Sequence, residues 1–296
     1  LRSNLPDILT FLSATVPELA FINGIFLPIE QAFVSVEDRG FQFADAVYEV
    51  MVTYGGTPFR IEKHLNRLQA SLDALGIVYN VEAEQVAALV ADGIRRAGFT
   101  ETLVYLQISR GVASRRHEFP EVSCPTVVMT FKECHRLPVH MYEHGVRIIT
   151  RPDLRWKRCN IKTVSLLPNV LAKQQASQES AFEVLLIDSE GRVTEGSSTS
   201  SFLVVDGVVK TTPLGPSILA GITREVVIEI AYNLNMRFRE ESSLLQDYFE
   251  ADEVFLVGTA TEIVPVIEID GNTIGNGVAG PMTRRLRGSF SKLVKS

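Results

Sequence analysis

The sequence predicts a two-domain α+β protein in which helices and strands are mixed within each domain. Its 296 residues exceed the roughly 250 residues over which a single core usually grows. Blocks of strand and helix patterns also lie on either side of an aperiodic segment at residues 133–141. We therefore predict an extension over residues 1–19, a small domain over 20–132, a linker over 133–141 and a large domain over 142–296.

The small domain begins with a predicted hairpin over residues 20–28, turned at Asn23 and Gly24, a dipeptide typical of tight β-turns. A run rich in Val and Tyr over residues 46–54 predicts the next strand, after a loop at 37–40. The other elements predicted here are a strand over 57–61, helices over 61–75 and 82–97, and strands over 103–110 and 126–131. The polar flank of the first helix carries His64, Arg67 and Ser71.

The large domain is predicted to start with a strand over residues 146–150, which leads into a polar passage and then a helix over 166–179. Further strands are predicted over 182–187, 201–205, 208–211, 254–257 and 263–269, with a terminal helix from about residue 279. Gly221 precedes another predicted helix, whose first residues are Ile222 and Thr223.

Composition excludes several classes of protein. With 29 basic and 35 acidic residues the formal net charge is -6, which argues against nucleic-acid binding, since phosphate contacts need clustered Lys and Arg. No apolar run approaches the roughly 20 residues of a membrane helix. Pro6, Asp7, Pro17 and Glu18 interrupt the early apolar patch, so we do not expect a signal peptide.

The cysteines indicate a reducing compartment. Cys124, Cys134 and Cys159 are widely spaced and form no CxxC pair. Reduced thiols in a cytoplasm fit this pattern best, and we expect no metal site.

The stretch that organises the rest of the chain is residues 155–173, which read RWKRCNIKTVSLLPNVLAK. Lys162 follows a basic passage containing Arg155, Trp156 and Arg158, and it precedes an apolar run. A lysine held there would be partly desolvated, which disfavours its ammonium form and frees an amine for chemistry on carbonyl groups. From the residues alone, a surface lysine beside a helix start is the alternative.

RCNIKTVSLLPNVLAKQ and the later TEGSSTS resemble the fold type IV pyridoxal-phosphate transaminases, and within them the D-amino acid aminotransferases. The resemblance runs from about Phe21 to the C-terminus. It implies pyridoxal 5'-phosphate as cofactor, Lys162 as the lysine that forms a Schiff base with it, and Glu195 as the carboxylate that keeps the pyridine nitrogen protonated. An exposed turn acid is the alternative for Glu195.

The resemblance also implies how the cofactor phosphate is held. The helix that starts near Thr223 offers free backbone N–H groups and the positive end of its dipole. The arginine of the family's phosphate site matches Arg67, and a hydroxyl donor matches Thr259 in GTATEI. The implied cofactor-binding residues are Arg67, Lys162, Glu195, Leu219, Ile222, Thr223 and Thr259.

Three further positions match the residues with which the family holds the substrate α-carboxylate, namely Tyr48, Arg115 and His117. In the family the loop that carries the latter two reaches the neighbouring subunit, so the resemblance implies a homodimer. A guanidinium, a phenol and an imidazole make a chemically sensible carboxylate site. A solvated basic loop is the alternative. Arg155 matches a position near the family's active site, without an assigned role.

The implied reaction is ping-pong transamination from D-amino acids, with D-alanine and 2-oxoglutarate as the leading pair and Lys162 as the base that moves the α-proton. Branched-chain L-amino acid and (R)-amine aminotransferases and aminodeoxychorismate lyases share the fold and stay open as alternatives. A non-catalytic relative that binds the cofactor is a fourth. Ala44 and Ala46 stand where we expect glycines in the family, and Thr199 stands where we expect a serine. These three departures bear on which substrates the site accepts, and not on cofactor binding.

Overall fold

The computed structural model describes residues 18–295, and residues 1–17 of the predicted extension lie outside that range. The first part of the chain forms a six-stranded antiparallel sheet covered by two helices. Its elements are β1 (Leu19–Ile22), β2 (Ile25–Pro28), α1 (Arg39–Phe43), β3 (Ala46–Tyr54), β4 (Thr57–Pro58), α2 (Ile61–Leu75), α3 (Val86–Ala97), β5 (Thr102–Ser109) and β6 (Thr126–Glu133), with a 3-10 turn at Ile29–Gln31. The strand order is β2-β1-β6-β5-β3-β4.

The apolar stripes of α2 and α3 pack on one face of this sheet. Leu68 and Leu72 of α2 and Val90 of α3 share a buried core with Met51 and Phe131 from the strands. The helical spacing of the apolar residues in α2 and α3 and the alternation along the strands place these side chains between the helices and the sheet.

The second part forms a nine-stranded mixed sheet with helices on both faces. Its elements are α4 (Val139–His144), β7 (Val146–Pro152), α5 (Leu167–Gln178), β8 (Glu183–Ile187), β9 (Val193–Gly196), β10 (Ser200–Val205), β11 (Val208–Thr211), α6 (Ile222–Asn233), β12 (Arg237–Glu240), α7 (Leu245–Phe249), β13 (Glu253–Gly258), β14 (Glu262–Ile269), β15 (Asn272–Thr273) and α8 (Pro281–Leu293). The strand order is β12-β11-β10-β13-β14-β7-β8-β9, and β15 pairs with β14.

Two of the cores that pack on this second sheet lie on its opposite faces. Phe202 of β10 packs in one core with residues of α6 and α8. Its neighbour Leu203 packs in the other core, beside Tyr248 of α7. This alternation is the two-residue period of a strand that is buried on both faces.

The mixed α and β architecture predicted from the sequence is confirmed. The predicted strand over 46–54 and helix over 61–75 have these bounds in the structure, and Gly76 ends the helix in the left-handed conformation at φ +62°. The helix predicted from residue 82 starts only at Val86, because residues 82–85 form a turn. The division into domains stays a prediction.

Several short elements were not predicted. The loop expected at residues 37–40 runs into helix α1, and β9, β12 and α7 each span only four or five residues. Such segments are too short for a hydrophobic period to be read from them.

Ala44, at the end of α1, adopts a left-handed conformation with φ +56°. A residue with a Cβ atom pays roughly 1 kcal/mol or more for this conformation, whereas glycine adopts it freely. The alanine that stands in place of the expected family glycine is thus tolerated at a local cost. Among residues 18–295, no helix has the length and apolar character needed to cross a membrane.

Candidate active site

A cavity of about 330 Å³ lies where the two sheets meet. It is lined by residues of the first part of the chain, by the loop after β7 and by the ends of β9, α6 and β13. All seven residues predicted to bind the cofactor line it, together with Tyr48. Arg115 and His117 are not among its lining residues.

The backbone of Lys162 is tied to the first sheet and its helix, although the residue follows β7 of the second sheet. The Tyr48 N–H donates to the Lys162 carbonyl oxygen at 3.0 Å, and the Lys162 N–H donates to Ser71 Oγ at 3.2 Å. A third bond runs from the Val164 N–H to the Ala46 carbonyl oxygen at 3.2 Å. The lysine loop therefore extends the first sheet along β3, which fixes where the side chain starts.

The Lys162 amine lies in surroundings that disfavour its charge. Its Nζ atom is 4.3 Å from the centroid of the Tyr48 ring, and the side chain is exposed only in part, towards the cavity. Burial, and then the positive charge of Arg67, lower the pKa of Lys162 to about 8. A substantial fraction of the amine is consequently neutral at mildly alkaline pH.

We expect the acetylation of Lys162 by trace acetic anhydride to reveal this pKa. Because only the neutral amine reacts, and a lowered pKa means that the ammonium form persists only below about pH 8, the labelling rate should rise up to pH 8 and level off above it. Peptide mass spectrometry of cofactor-free protein between about pH 6.5 and pH 10 gives the curve. Lys157, an exposed lysine in the same loop, is the internal reference, and identical curves for the two residues would contradict the desolvation of Lys162.

Glu195 lies on β9 and is only 6% exposed. Arg155 Nη1 donates to its Oε1 atom, and the Leu219 N–H approaches Oε2 at 3.3 Å. Burial raises the pKa of Glu195, whereas the charge of Arg155 and its hydrogen bond favour the carboxylate. The acid is thus a buried acceptor held by a guanidinium, and not an exposed turn residue.

Arg155 is itself fixed on its far side. Its Nε and Nη2 atoms donate to Asp153 at 2.9 and 2.7 Å, and Nη2 also donates to the Ser217 carbonyl oxygen at 3.1 Å. Burial acts against the charge of Arg155, but Asp153 and Glu195 together raise its pKa. The guanidinium that holds Glu195 therefore stays protonated.

The N-terminus of α6 faces the cavity with Ile222 and Thr223. No side chain of the described residues caps it, so its first backbone N–H groups are available to an anion. Arg67 Nη1 donates to the carbonyl oxygen of Ala220 at 2.7 Å, close to the start of the helix. Thr259 adds a hydroxyl group to the cavity wall.

Sequence reasoning missed the partner of Arg67. Glu49, which is completely buried, accepts from Arg67 Nε and Nη2 at 2.7 and 2.8 Å and lies 2.7 Å from His64 Nδ1. Burial alone would raise the pKa of Glu49, but Arg67 lowers it to about 2. A signal was present, because the strand period places Glu49 on the same face as the buried Val47 and Met51.

The phenol of Tyr48 closes the cavity beside the lysine. Its ring stacks on Tyr105 with the centroids 5.7 Å apart, and burial raises its pKa. The hydroxyl group thus remains a hydrogen-bond donor at any physiological pH.

The model of the amino-transferase class IV family matches residues 46–269, well over half of the chain. The chain belongs to the amino-transferase class IV family. The resemblance seen in the Lys162 and Glu195 motifs is therefore confirmed.

Similar proteins in the family cover nearly the whole chain. The D-alanine aminotransferase of Staphylococcus aureus (strain MSSA476) is 37% identical over 279 residues, which is 94% of this chain and 99% of that protein. Among solved structures, the branched-chain amino acid aminotransferase of Escherichia coli has a TM-score of 0.88 at 26% identity and covers 94% of this chain and 95% of its own. The T.th. branched-chain amino acid aminotransferase with pyridoxamine 5'-phosphate has a TM-score of 0.86 at 30% identity, with 94% of each chain covered.

The residues of the cavity fit a phosphorylated pyridine aldehyde. Lys162 offers an amine that is partly neutral, Glu195 offers a buried acceptor for a protonated ring nitrogen, and the start of α6 offers N–H groups to a phosphate. These three functions lie around one cavity, as such a group requires.

Proposed function

We propose that this chain is a pyridoxal-phosphate-dependent transaminase that moves the amino group of D-amino acids, D-alanine first among them, to 2-oxo acids such as 2-oxoglutarate. The observation that carries the proposal is 37% identity to D-alanine aminotransferase over 94% of the chain. The cavity is consistent with it, because Lys162 and Glu195 both line the cavity wall.

Lys162 performs the proton transfers in this proposal. When bound, pyridoxal phosphate supplies an aldehyde and a ring that withdraws electrons from the substrate α-carbon. The Lys162 amine, neutral at a pH above about 8 and partly so below it, takes the proton from that α-carbon as a general base. A single amine can serve both halves of a ping-pong cycle, because it receives the proton in one step and returns it in the next.

Glu195 and the anion-binding residues prepare the site for that transfer. The Glu195 carboxylate would hold a proton at the ring nitrogen of the bound cofactor, and Arg155 keeps this carboxylate in place. The N–H groups of Ile222 and Thr223, the Arg67 guanidinium and the Thr259 hydroxyl are the groups that would hold the phosphate. Leu219 contacts the carboxylate through its N–H group.

We also propose a homodimer in which Arg115 and His117 serve the cavity of the partner subunit and bind the substrate α-carboxylate together with Tyr48. Both loop residues are exposed and lie apart from the cavity of their own chain, which supports a role across subunits. A cytoplasmic location is proposed because Cys124, Cys134 and Cys159 are all free.

The second candidate is a branched-chain L-amino acid aminotransferase, which the TM-score of 0.88 to the Escherichia coli enzyme favours. The identity of 26% to that protein, below the 37% to D-alanine aminotransferase, ranks it second. Both reactions need the same amine and carboxylate, so the cavity wall alone does not separate them.

An assay of amino donors tests the proposal. D-alanine, L-leucine and (R)-1-phenylethylamine are each incubated with 2-oxoglutarate and the holoenzyme, and the amounts of D- and L-glutamate formed are measured by chiral chromatography. We expect D-alanine to be the fastest donor and D-glutamate the product. Equal or faster turnover of L-leucine, with L-glutamate formed, would assign the branched-chain reaction instead.

A further inference from the structure

Arg39 holds the backbone of the loop that carries Arg115 and His117. It is the first residue of α1 and only 3% exposed. Its Nη1 atom donates to the carbonyl oxygen of Arg116 at 2.6 Å and to that of Glu118 at 3.3 Å, and its Nη2 atom donates to that of His117 at 3.3 Å. Three consecutive carbonyl groups of the loop thus converge on one buried cation.

The orientation of Arg39 is set from behind by Asp45. The Nε atom of Arg39 donates to Asp45 Oδ2 at 2.8 Å, and the same carboxylate accepts from Arg110 at 2.7 and 3.0 Å. Burial opposes the charge of Asp45, but the two guanidinium groups lower its pKa. Because Nε is engaged by this carboxylate, the remaining N–H groups of Arg39 point at the loop.

Phe43, one turn further along α1, supports the side chains of the loop. The guanidinium carbon of Arg115 lies 4.6 Å from the centroid of the Phe43 ring, and the imidazole ring of His117 lies 5.5 Å from it. Arg39 lies over the same ring at 4.9 Å. One aromatic side chain therefore contacts both exposed groups of the loop and the cation that holds their backbone.

We propose that Arg39 and Phe43 are positioning residues that set the orientation of Arg115 and His117, and that they thereby determine how strongly the enzyme prefers an amine bearing an α-carboxylate. This inference rests on the proposed function, in which Arg115 and His117 bind that carboxylate. A carboxylate needs its hydrogen-bond donors in a fixed arrangement, and misplacement of these donors by about 1 Å lowers the reaction rate substantially. A loop held at three carbonyls, with its side chains on an aromatic ring, satisfies that need.

The test compares D-alanine with D-alaninamide, in which a neutral carboxamide replaces the carboxylate, in steady-state reactions of the holoenzyme with 2-oxoglutarate as acceptor. Arg39→Lys keeps the charge but replaces a planar fork by a single ammonium group, so fewer loop carbonyls are held. We expect the ratio of kcat/KM for D-alanine to that for D-alaninamide to fall about tenfold, mainly through KM for D-alanine. The rate with D-alaninamide should change much less.

Arg110→Lys is the matched control. Arg110 is equally buried and shares Asp45, but its other hydrogen bonds go to the carbonyl groups of Leu75 and Gly76 at the end of α2, and it contacts the loop through the ring of Phe119. This variant should lose comparable thermal stability while largely keeping the substrate ratio. Equal falls in the ratio for the two variants would overturn the proposal.

Phe43→Leu is a second variant that tests the proposal if Arg39→Lys fails to fold. It removes the aromatic ring without touching an ion pair, and we expect a smaller fall of the ratio in the same direction. A folded Phe43→Leu protein with an unchanged ratio overturns the positioning role of the ring. Failure of the proposed function has a different signature, because wild-type enzyme would then turn over L-leucine at least as fast as D-alanine, whatever the variants do to the ratio.

Discussion

Replacing Lys162 by alanine is expected to lower the rate of transamination from D-alanine by at least about 10³-fold. In the proposed mechanism the variant lacks both the amine that binds the cofactor aldehyde and the base that moves the α-proton, and general base catalysis alone contributes roughly 10²–10⁴-fold. The rate is measured as D-glutamate formed from D-alanine and 2-oxoglutarate. Cofactor absorbance after dialysis shows separately whether the variant still retains it.

Lys157→Ala is the control for this prediction. Lys157 lies in the same loop but is exposed, so its loss should leave the rate within about twofold of wild type. Lys162→Ala protein that keeps more than a tenth of the wild-type rate would remove Lys162 from the role of base.

Glu195→Gln is expected to reduce kcat by about 10²-fold while KM for D-alanine changes little. The amide is close in shape to the carboxylate but carries no charge, so in the proposed mechanism it would not hold a proton on the ring nitrogen, and the ring would withdraw electrons less strongly. Buried electrostatic stabilisation of this kind is typically worth such a factor. Steady-state kinetics at saturating D-alanine measure the loss.

Glu190→Gln, in the turn before β9, is the companion variant because Glu190 is largely exposed and pairs with Arg192 at the surface. It should be indistinguishable from wild type. If Glu195→Gln stayed within threefold of wild-type kcat, the carboxylate would have no part in the chemistry.

Much of the fold was accessible from sequence because α2 and β3 each follow a clear period over nine or more residues. Glu195 shows the limit of this approach. It was located by its resemblance motif, whereas its strand of four residues carries no period, and an exposed turn acid was the alternative interpretation.

The contacts around the predicted residues were harder to predict from the sequence. Arg39 was counted as part of a loop, yet its three loop contacts join residues 77 to 79 positions apart in the chain. Arg155 was noted without a role, and its bridge between Asp153 and Glu195 is formed only when β9 lies beside the lysine loop. Contacts of this kind are set by tertiary packing, which local propensity does not encode.

The hydrogen bonds that join the backbone of Lys162 to Tyr48 and to the Ser71 hydroxyl have a consequence for how the enzyme matures. These partners are separated by about a hundred residues, so closing the contact carries a cost in chain entropy, and we expect it to form after the local helices and strands. Newly made protein should acquire its secondary structure before it acquires a reactive amine. Retention of pyridoxal phosphate would then report correct folding, because only chains whose two sheets have packed together would hold the cofactor.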